Sequence, residues 1–314
     1  MAEVVVYGAW ASPLSKRVEI ALKLKGVKYD IIEEDMSNPS LWLQNYSPIL
    51  KTVPVLIHEG DPVVAPNVIL EYIDETWKGN PIFPQNPKDR ARARFWIKFI
   101  DEKCVPAVML ACWGRQMVQQ MATQEAYNCL KALEDELRGK KFFGGNNVGI
   151  VDIAAIFIAL WLGVIEEING VKLLMHEQFP LLSRWVNDIL SCSIIQETLP
   201  PRDQLISYLR THNPNSFPQG TTIESSGKTK IPNNAEIPIV AFLPNLQRSL
   251  IEDFIKDPNF STGFNNREMA YFTPSSSEKS PPIPYSYLYT IHGAIRAHQE
   301  TIKSPKSEVD SMLA

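Results

Sequence analysis

The sequence lacks the short motifs that mark most metal, nucleotide and hydrolase sites. There is no HExxH pattern, no glycine-rich phosphate loop and no serine nucleophile elbow. The few histidines show no metal-ligand spacing along the chain: His58, His176, His212, His292 and His298. The sequence therefore predicts no metal site and no resident cofactor.

Cysteine is also scarce, and long apolar runs are absent. The four cysteines, Cys104, Cys112, Cys129 and Cys192, have no CxxC spacing and lie in segments of helical pattern, which favours buried, reduced thiols over disulfides. The N-terminal stretch MAEVVVYGAWASPL has no basic region before its short apolar run, so it does not resemble a signal peptide. No run approaches the roughly 18 apolar residues of a membrane span. We expect a cytoplasmic protein with no membrane partner.

An excess of charge of one sign is lacking as well. The 31 lysines and arginines nearly balance the 35 acidic residues, and no basic stripe is interleaved with aromatic side chains as in nucleic-acid-binding surfaces. We therefore expect no nucleic-acid partner. The chain does have 45% hydrophobic and 21% charged residues over a length of 314. This composition is typical of folded proteins, and the length suffices for two packed domains.

Residues 1–79 predict a small α/β domain. Glu3 to Tyr7 is a β-branched run, and Leu14 to Lys25 then places apolar side chains at helical spacing before Gly26, a good C-cap. The later segments alternate in the same way: Tyr29 to Glu33 (strand), Pro39 to Asn45 (helix), Val53 to His58 and Pro62 to Ala65 (strands), and Pro66 to Trp77 (helix). The order β-α-β-α-β-β-α is typical of one compact α/β unit.

Helical periodicity dominates the chain beyond a Pro- and Asn-rich linker at residues 80–88. Residues 89–214 predict an all-helical domain. Its most apolar segment, which starts GIVDIAA, predicts a central buried helix pinned by Asp152 at its third position. Residues 215–314 shift toward Pro, Ser, Thr and Asn and contain two amphipathic segments, at 246–256 and 287–303. We interpret this stretch as an extension of no recognised type, partly disordered.

Six stretches of the sequence together resemble the plant tau-class glutathione S-transferases. They are YGAWASPLSKRVEIALKLKG, VPVLIHEGDP, VILEYIDETW, GKKFFGG, GIVDIA and LPPRDQL, and the resemblance runs from about residue 3 to residue 212. It implies a thioredoxin-like α/β domain followed by an all-α domain, and usually a homodimer. It also implies a detoxifying transferase that takes glutathione as a co-substrate, not a cofactor, and small hydrophobic electrophiles as second substrates.

The resemblance assigns the central role to Ser12, which precedes Pro13 in the first strand-to-helix turn. In the family, this hydroxyl donates a hydrogen bond to the sulfur of bound glutathione. The thiolate is the reactive form, a free thiol has a pKa of about 8.5, and lowering that pKa by about two units requires about 2.7 kcal/mol. The dipeptide alone favours Ser12 as the N-cap of a helix that begins with Pro13, whereas the matched flanking residues favour the catalytic role. Ser15 is a second, weaker candidate.

The remaining glutathione contacts are partly kept and partly lost. Val53 precedes the proline of the family's cis-proline turn, where its backbone pairs with the cysteinyl part of glutathione. Pro39 and Thr52 stand where the family commonly has lysines, and Ala65 and Pro66 stand where it has the Glu-Ser pair that holds the γ-glutamyl group. Charge-assisted hydrogen bonds contribute about 1.5 to 3 kcal/mol each, so losing two or more should weaken glutathione binding on the order of 10² to 10⁴-fold.

The resemblance implies an electrophile pocket between the domains, at Val105, Met109 and Trp161. The family often has Tyr and Arg at the first two positions, so the pocket should be more apolar here, although an apolar helical residue such as Met109 is most often simply core. Asn67 either substitutes for the lost anchor or is an ordinary first-turn residue. Two functions stay open: a transferase with weakened glutathione affinity, and a non-catalytic ligand-binding or interaction protein on the same fold.

Overall fold

The computed structural model describes residues 3–35, 38–47, 52–114 and 116–212. The N-terminal elements follow in the predicted order: β1 (Val4–Gly8), α1 (Pro13–Leu24), β2 (Asp30–Glu33), α2 (Leu41–Tyr46), β3 (Val55–His58), β4 (Asp61–Val64) and α3 (Pro66–Thr76). The predicted α/β domain is confirmed. The predicted extension at 215–314, with its two helices, lies outside the described residues.

The four strands form one mixed sheet in the order β2-β1-β3-β4. Strand β1 runs parallel to β2 and antiparallel to β3, with Tyr7 opposite Val55. Because successive side chains of a strand point to opposite faces, Val4 and Val6 join the core that contains α1 and α3. On the other face, Tyr7 and Val55 pack in a smaller apolar cluster with Leu43 of α2. Helices therefore cover both faces of the central strands β1 and β3, whereas the edge strand β2 is exposed.

Helix α1 starts at a capping side chain and ends near a glycine. Ser12 has extended backbone angles and accepts the N–H of Ser15, while Pro13 needs no backbone donor at the first helical position. Beyond the other end, Gly26 has a φ of 67°, which residues with side chains rarely adopt. The helix begins one residue before the predicted Leu14 because proline is well suited to the first position.

Strands β3 and β4 form a hairpin around the two-residue loop Glu59-Gly60. Both loop residues have positive φ, at 53° and 93°, as in the type I′ turns whose twist matches that of paired strands. Strand β3 begins at Val55 instead of the predicted Val53, since Pro54 has no N–H to donate to the sheet.

Beyond the linker, the regular structure of the described residues is almost entirely helical, as the periodicity predicts. The helices are α4 (Pro87–Phe99), α5 (Val105–Trp113), α6 (Gln116–Glu136), α7 (Ile150–Ala154), α8 (Leu162–Asn169), α9 (Pro180–Leu190), α10 (Ser193–Gln196) and α11 (Arg202–Thr211). A π-helical stretch, Ile100–Cys104, joins α4 to α5, and another, Phe157–Trp161, leads into α8. No helix in the described part of the chain is long and apolar enough to cross a membrane.

The predicted buried helix begins as α7, and Asp152 fixes its start. The Oδ2 atom of Asp152 accepts the N–H groups of Gly149 and Gly144 at 2.9 and 3.1 Å. The Oδ1 atom accepts the N–H of Phe143 at 2.9 Å and the indole N–H of Trp185 at 2.8 Å. Burial raises the pKa of this carboxyl, although all four hydrogen bonds favour its charged form.

A buried ion pair ties α1 to the helical region. The guanidinium of Arg17 lies 2.8 Å from Oδ1 of Asp101, with both side chains almost inaccessible to solvent. The same guanidinium donates a hydrogen bond to the carbonyl oxygen of Ala154. These contacts connect the first helix of the α/β region with two separate parts of the helical region.

A second buried pair holds the linker. The ammonium of Lys25 lies 2.7 Å from Oδ1 of Asp74, whose carboxylate also accepts the N–H groups of Ile82 and Phe83 at 2.8 and 3.1 Å. The linker backbone is therefore anchored to α3. The exact domain boundaries, 79, 88 and 214, stay predictions.

Candidate functional site

Ser12 lies in the short loop between β1 and α1, and the residue is 2% exposed. Its N–H donates to the carbonyl of Ala9 at 3.0 Å, and its own carbonyl accepts the N–H of Lys16 at 3.1 Å. Its hydroxyl oxygen accepts the N–H of Ser15 at 3.4 Å, which is long for a hydrogen bond. Because the hydroxyl acts there only as an acceptor, its proton can be donated to a ligand. The capping and donor roles are compatible.

Ser15 shapes the loop that carries Ser12. It is fully buried, and its hydroxyl oxygen accepts the N–H of Ala9 at 3.1 Å. A Cβ atom added to Gly8 would lie 3.3 Å from the Ser15 side chain, so a residue without a side chain lets β1 pass close to α1.

The loop is also held from the helical region, by Trp161. The indole Nε1 of this fully buried residue donates to the carbonyl oxygen of Ala11 at 2.9 Å. Immediately before Ala11, the N–H of Trp10 donates to the carboxylate of Glu33 at 2.8 Å. Burial raises the pKa of that carboxyl, and the hydrogen bond from Trp10 opposes the shift. Two distant parts of the chain thus fix the backbone next to Ser12.

The peptide bond between Val53 and Pro54 is cis, as the resemblance implies. The side chain of Val53 is buried in the apolar cluster on the α2 side of the sheet. Its backbone N–H and C=O have no hydrogen-bond partner among the described residues. Backbone polar groups in folded proteins are normally paired, so this pair of groups is suited to bind an extended ligand.

Helix α3 begins without a side-chain cap. Ala65 precedes it with a φ of 72° and no polar side chain, and Pro66 has no N–H. The N–H groups of Asn67 and Val68 have no partner among the described residues, and the helix dipole adds positive potential there. The side chain of Asn67 points to the helical region, where Nδ2 donates to Asp101 at 3.0 Å. Its NH₂ group is therefore engaged, whereas its buried Oδ1 has no partner among the described residues, and two backbone donors stay available to an anion.

Pro39 and Thr52, which replace two lysines of the family, are both half-buried and uncharged. The carbonyl of Pro39 accepts the side-chain amide of Gln44 at 3.0 Å. The next residue, Ser40, caps α2 and donates its N–H to the buried carboxylate of Glu34 at 3.0 Å. Local hydrogen bonds thus hold Pro39 and Ser40, and neither Pro39 nor Thr52 provides a cation for a glycyl carboxylate.

Val105, Met109 and Trp161 are all buried, with exposures of 4%, 1% and 0%. They belong to the same continuous core. This arrangement gives each of them a packing role, and their role as the wall of an electrophile pocket stays a prediction.

The sequence offered no signal for two contacts of this region. The bond from Trp161 to Ala11 spans 150 residues, and the bond from Asn67 to Asp101 spans 34 residues. Neither pair shares a helix or a strand, so no periodic pattern relates its members.

The fold defines a class of two-domain proteins in which a small mixed sheet with a cis-proline turn is joined to a bundle of helices. Residues 2–75 match the model of the family "Glutathione S-transferase, N-terminal domain", and residues 98–192 match that of "Glutathione S-transferase, C-terminal domain". Glutathione S-transferase U8 of Arabidopsis thaliana is 50% identical over 209 residues, which cover 66% of this chain and 93% of the relative. Glutathione transferase GST 23 of Zea mays is 47% identical over 205 residues, covering 65% and 92%.

Solved structures of glutathione S-transferases resemble the fold of this chain. The tau-class glutathione S-transferase of mango, Mangifera indica, has a TM-score of 0.63 at 34% identity and covers 66% of this chain and 97% of its own. Rice GST1 in complex with glutathione has a TM-score of 0.61 at 30% identity, with coverages of 67% and 96%. The chain belongs to the glutathione S-transferase family, among its tau-class members.

Proposed function

We propose that the chain transfers the thiolate of glutathione to small hydrophobic electrophiles, with Ser12 as the hydrogen-bond donor to the sulfur. The observation that carries this proposal is the position of the Ser12 hydroxyl. It lies in the turn after a buried strand and at the N-terminus of a helix of 12 residues, and its proton is not used by the cap bond. A donor and a helix N-terminus both favour a thiolate over a thiol.

The backbone N–H and C=O of Val53, which no other described residue pairs with, support the same site. They provide one donor and one acceptor for the cysteinyl part of glutathione. The unpaired N–H groups of Asn67 and Val68 offer donors to the γ-glutamyl carboxylate, in place of the missing serine. No side chain at positions 65 and 66 can pair with the γ-glutamyl ammonium. We therefore propose that glutathione binding persists in weakened form.

Replacement of Ser12 by alanine tests the catalytic role. The variant removes the donor and should lower kcat/KM for chlorodinitrobenzene about 100-fold, the equivalent of about 2.7 kcal/mol. Ser12→Thr keeps a hydroxyl and should retain more activity. A stopped-flow titration of the thiolate should show a raised pKa for bound glutathione in Ser12→Ala but not in Ser12→Thr.

The matched control is Asn86→Ala. Asn86 caps α4, where its Oδ1 accepts the N–H of Lys88 at 2.9 Å. Both alanine variants lose a helix cap, and each should lose about 1 kcal/mol of stability. If Asn86→Ala lowers activity as much as Ser12→Ala does, the effect of Ser12 is one of stability and the catalytic assignment fails.

A second candidate function is favoured by one specific observation, the loss of every side-chain donor and acceptor at Ala65 and Pro66. In this alternative, the chain binds hydrophobic ligands or a partner without catalysis. Calorimetry with glutathione, on the natural chain and on Ala65→Glu/Pro66→Ser, separates the two functions. Weak binding in the natural chain that tightens in the double variant supports the transferase. Absence of binding and turnover in the natural chain supports the alternative.

We also propose that a second copy of this chain is a partner. Val68 of α3 and Phe95 of α4 are 57% and 58% exposed, and the ring of Phe95 packs on those of Trp96 and Phe99. Burying these side chains would remove apolar surface from water. Light scattering should find a dimer that Phe95→Glu dissociates; a monomeric natural chain contradicts this.

We also propose that the protein resides in the cytosol, because its cysteines are reduced. All four are free thiols, as expected where disulfides do not persist. A fluorescent fusion should distribute through the cytosol, and accumulation in a secretory compartment would contradict the proposal.

A further inference from the structure

A cluster of one imidazole and two carboxylates lies at the start of β1, a strand length, or roughly 15 Å, from the end that leads to Ser12. Val4 pairs with His58 across β1 and β3, so Glu3 comes beside the end of β3. The N–H of Glu59, in the hairpin loop, donates to the carbonyl of Glu3 at 3.3 Å. The ligand atoms of the three side chains all lie within 4.8 Å of one another.

The imidazole of this cluster is fixed in place. His58 Nδ1 lies 2.8 Å from the hydroxyl oxygen of Tyr72, and the ring packs on Trp77 at a centroid distance of 4.7 Å. His58 Nε2 lies 3.7 Å from Oε1 of Glu3. When Nδ1–H donates to Tyr72, the lone pair of Nε2 faces the carboxylate. Metal-binding histidines typically have such a second hydrogen bond, which orients the ring and sets its tautomer.

We propose that Glu3, His58 and Glu59 bind a divalent transition metal ion of the Zn²⁺ type. Tetrahedral Zn²⁺ with bonds of about 2.0 to 2.1 Å places its ligand atoms about 3.4 Å apart, close to the Nε2–Oε1 distance. Glu3 and Glu59 are exposed, so their carboxylates can close the remaining gap by rotation. One nitrogen and two oxygens suit Zn²⁺ or Co²⁺, with a fourth position open to water.

Charge and connectivity support this assignment. Two carboxylates that share a small space repel each other, and a cation removes that repulsion. The bound ion would join the first strand to the β3-β4 hairpin. Because the ligands come together only in the folded chain, binding should stabilise the fold by mass action.

The test uses the full chain, freed of metal and without a polyhistidine tag. Titration with Zn²⁺ should give one site per chain by calorimetry, and Co²⁺ should give the visible absorption of a tetrahedral complex. His58→Gln should abolish both signals. Tyr72→Phe keeps the ring and removes the hydroxyl, and should weaken binding about 10 to 100-fold. His176→Gln, which removes an exposed histidine outside the cluster, should leave binding unchanged.

Glu59→Asn separates metal binding from folding. Asparagine tolerates positive φ better than glutamate, so this variant should have a higher Tm without metal and should lose most of the Tm increase that Zn²⁺ gives the natural chain. The proposal is overturned if Zn²⁺ and Co²⁺ do not bind the natural chain, or if His58→Gln binds them as the natural chain does.

Discussion

The indole nitrogen of Trp161 donates a hydrogen bond to the carbonyl oxygen of Ala11 at 2.9 Å, one residue before Ser12. A side chain from the helical region thus sets the position of the loop that carries the proposed thiolate donor. The resemblance implies that the same tryptophan is part of the wall of the electrophile pocket, which stays a prediction. Its buried bond to the loop indicates a positioning role beside that one.

Trp161→Phe should lower kcat/KM by about tenfold, equivalent to about 1.4 kcal/mol. The smaller ring keeps most of the packing but lets the loop and Ser12 move, so the pKa of bound glutathione should rise. The matched control is Trp185→Phe, which also removes an indole donor from a fully buried site. Equal losses of activity in both variants would show that only stability is involved.

The ion pair of Arg17 and Asp101 should be one of the most sensitive polar contacts of the fold. Asp101→Asn leaves a buried guanidinium without its counter-charge and should lower the free energy of unfolding by about 3 kcal/mol in urea titrations. Asp135→Asn, which breaks the exposed pairs with Lys131 and Arg138, should change the free energy of unfolding by less than about 1 kcal/mol. Similar values for the two variants would contradict the role given to burial.

Asp152→Asn should destabilise the chain by about 3 kcal/mol. Each carboxylate oxygen accepts two N–H groups, so an amide in either orientation turns an NH₂ group toward two donors. At least two charge-assisted hydrogen bonds of about 1.5 kcal/mol are lost. Thermal unfolding measures the change, and a Tm within a degree of the natural chain would refute this account.

Ala65→Gly should stabilise the fold by about 1 kcal/mol. Alanine at a φ of 72° is strained, and glycine removes that strain while adding some freedom to the unfolded chain. Ala91→Gly, at an exposed position of the ordinary helix α4, should instead destabilise by about 1 kcal/mol. In chemical denaturation, the free energy of unfolding should therefore rise for Ala65→Gly and fall for Ala91→Gly.

Cysteine reactivity should follow burial. Burial, together with the charge of Glu166, raises the pKa of Cys112 to about 12, so this thiol stays protonated near pH 8. Cys104 and Cys129 are buried as well, whereas Cys192 is partly exposed. Iodoacetamide should label Cys192 first in the native chain, as read by peptide mass spectrometry. Early labelling of Cys104 would show that the helical core opens easily.

Sequence periodicity predicted nearly every element of the described region, because β-branched runs, helical spacing and Gly or Pro at the ends are local signals. In the α/β region the differences are confined to the ends of elements, whereas in the helical region π-helical stretches interrupt the predicted continuous helices. Helix α1 begins at Pro13 instead of Leu14, and β3 begins at Val55 instead of Val53, since proline suits a helix start and cannot donate to a sheet.

The candidate site was predicted only in part. The matched flanking residues predict Ser12 and Val53 as site residues, which stays a prediction, but they do not predict the contacts that hold the Ser12 loop. Residue type alone does not distinguish a substitute anchor from an ordinary helix residue at Asn67, and the structure shows that its NH₂ group donates to Asp101. The histidines showed no metal spacing along the chain, yet His58 lies beside Glu3, because strand pairing joins residues that no local pattern relates.

The sequence by itself determined the order of the elements in the α/β region, the family and the absence of a polar side chain at Ala65 and Pro66, because each of these depends on residue identity and local spacing. Only the tertiary structure decided that Trp161 holds the loop of Ser12, that the first N–H groups of α3 find no partner within the described part of the chain, and that Glu3 meets His58. Those relationships depend on which segments pack together, and packing brings distant residues within hydrogen-bonding distance without leaving a periodic trace in the chain.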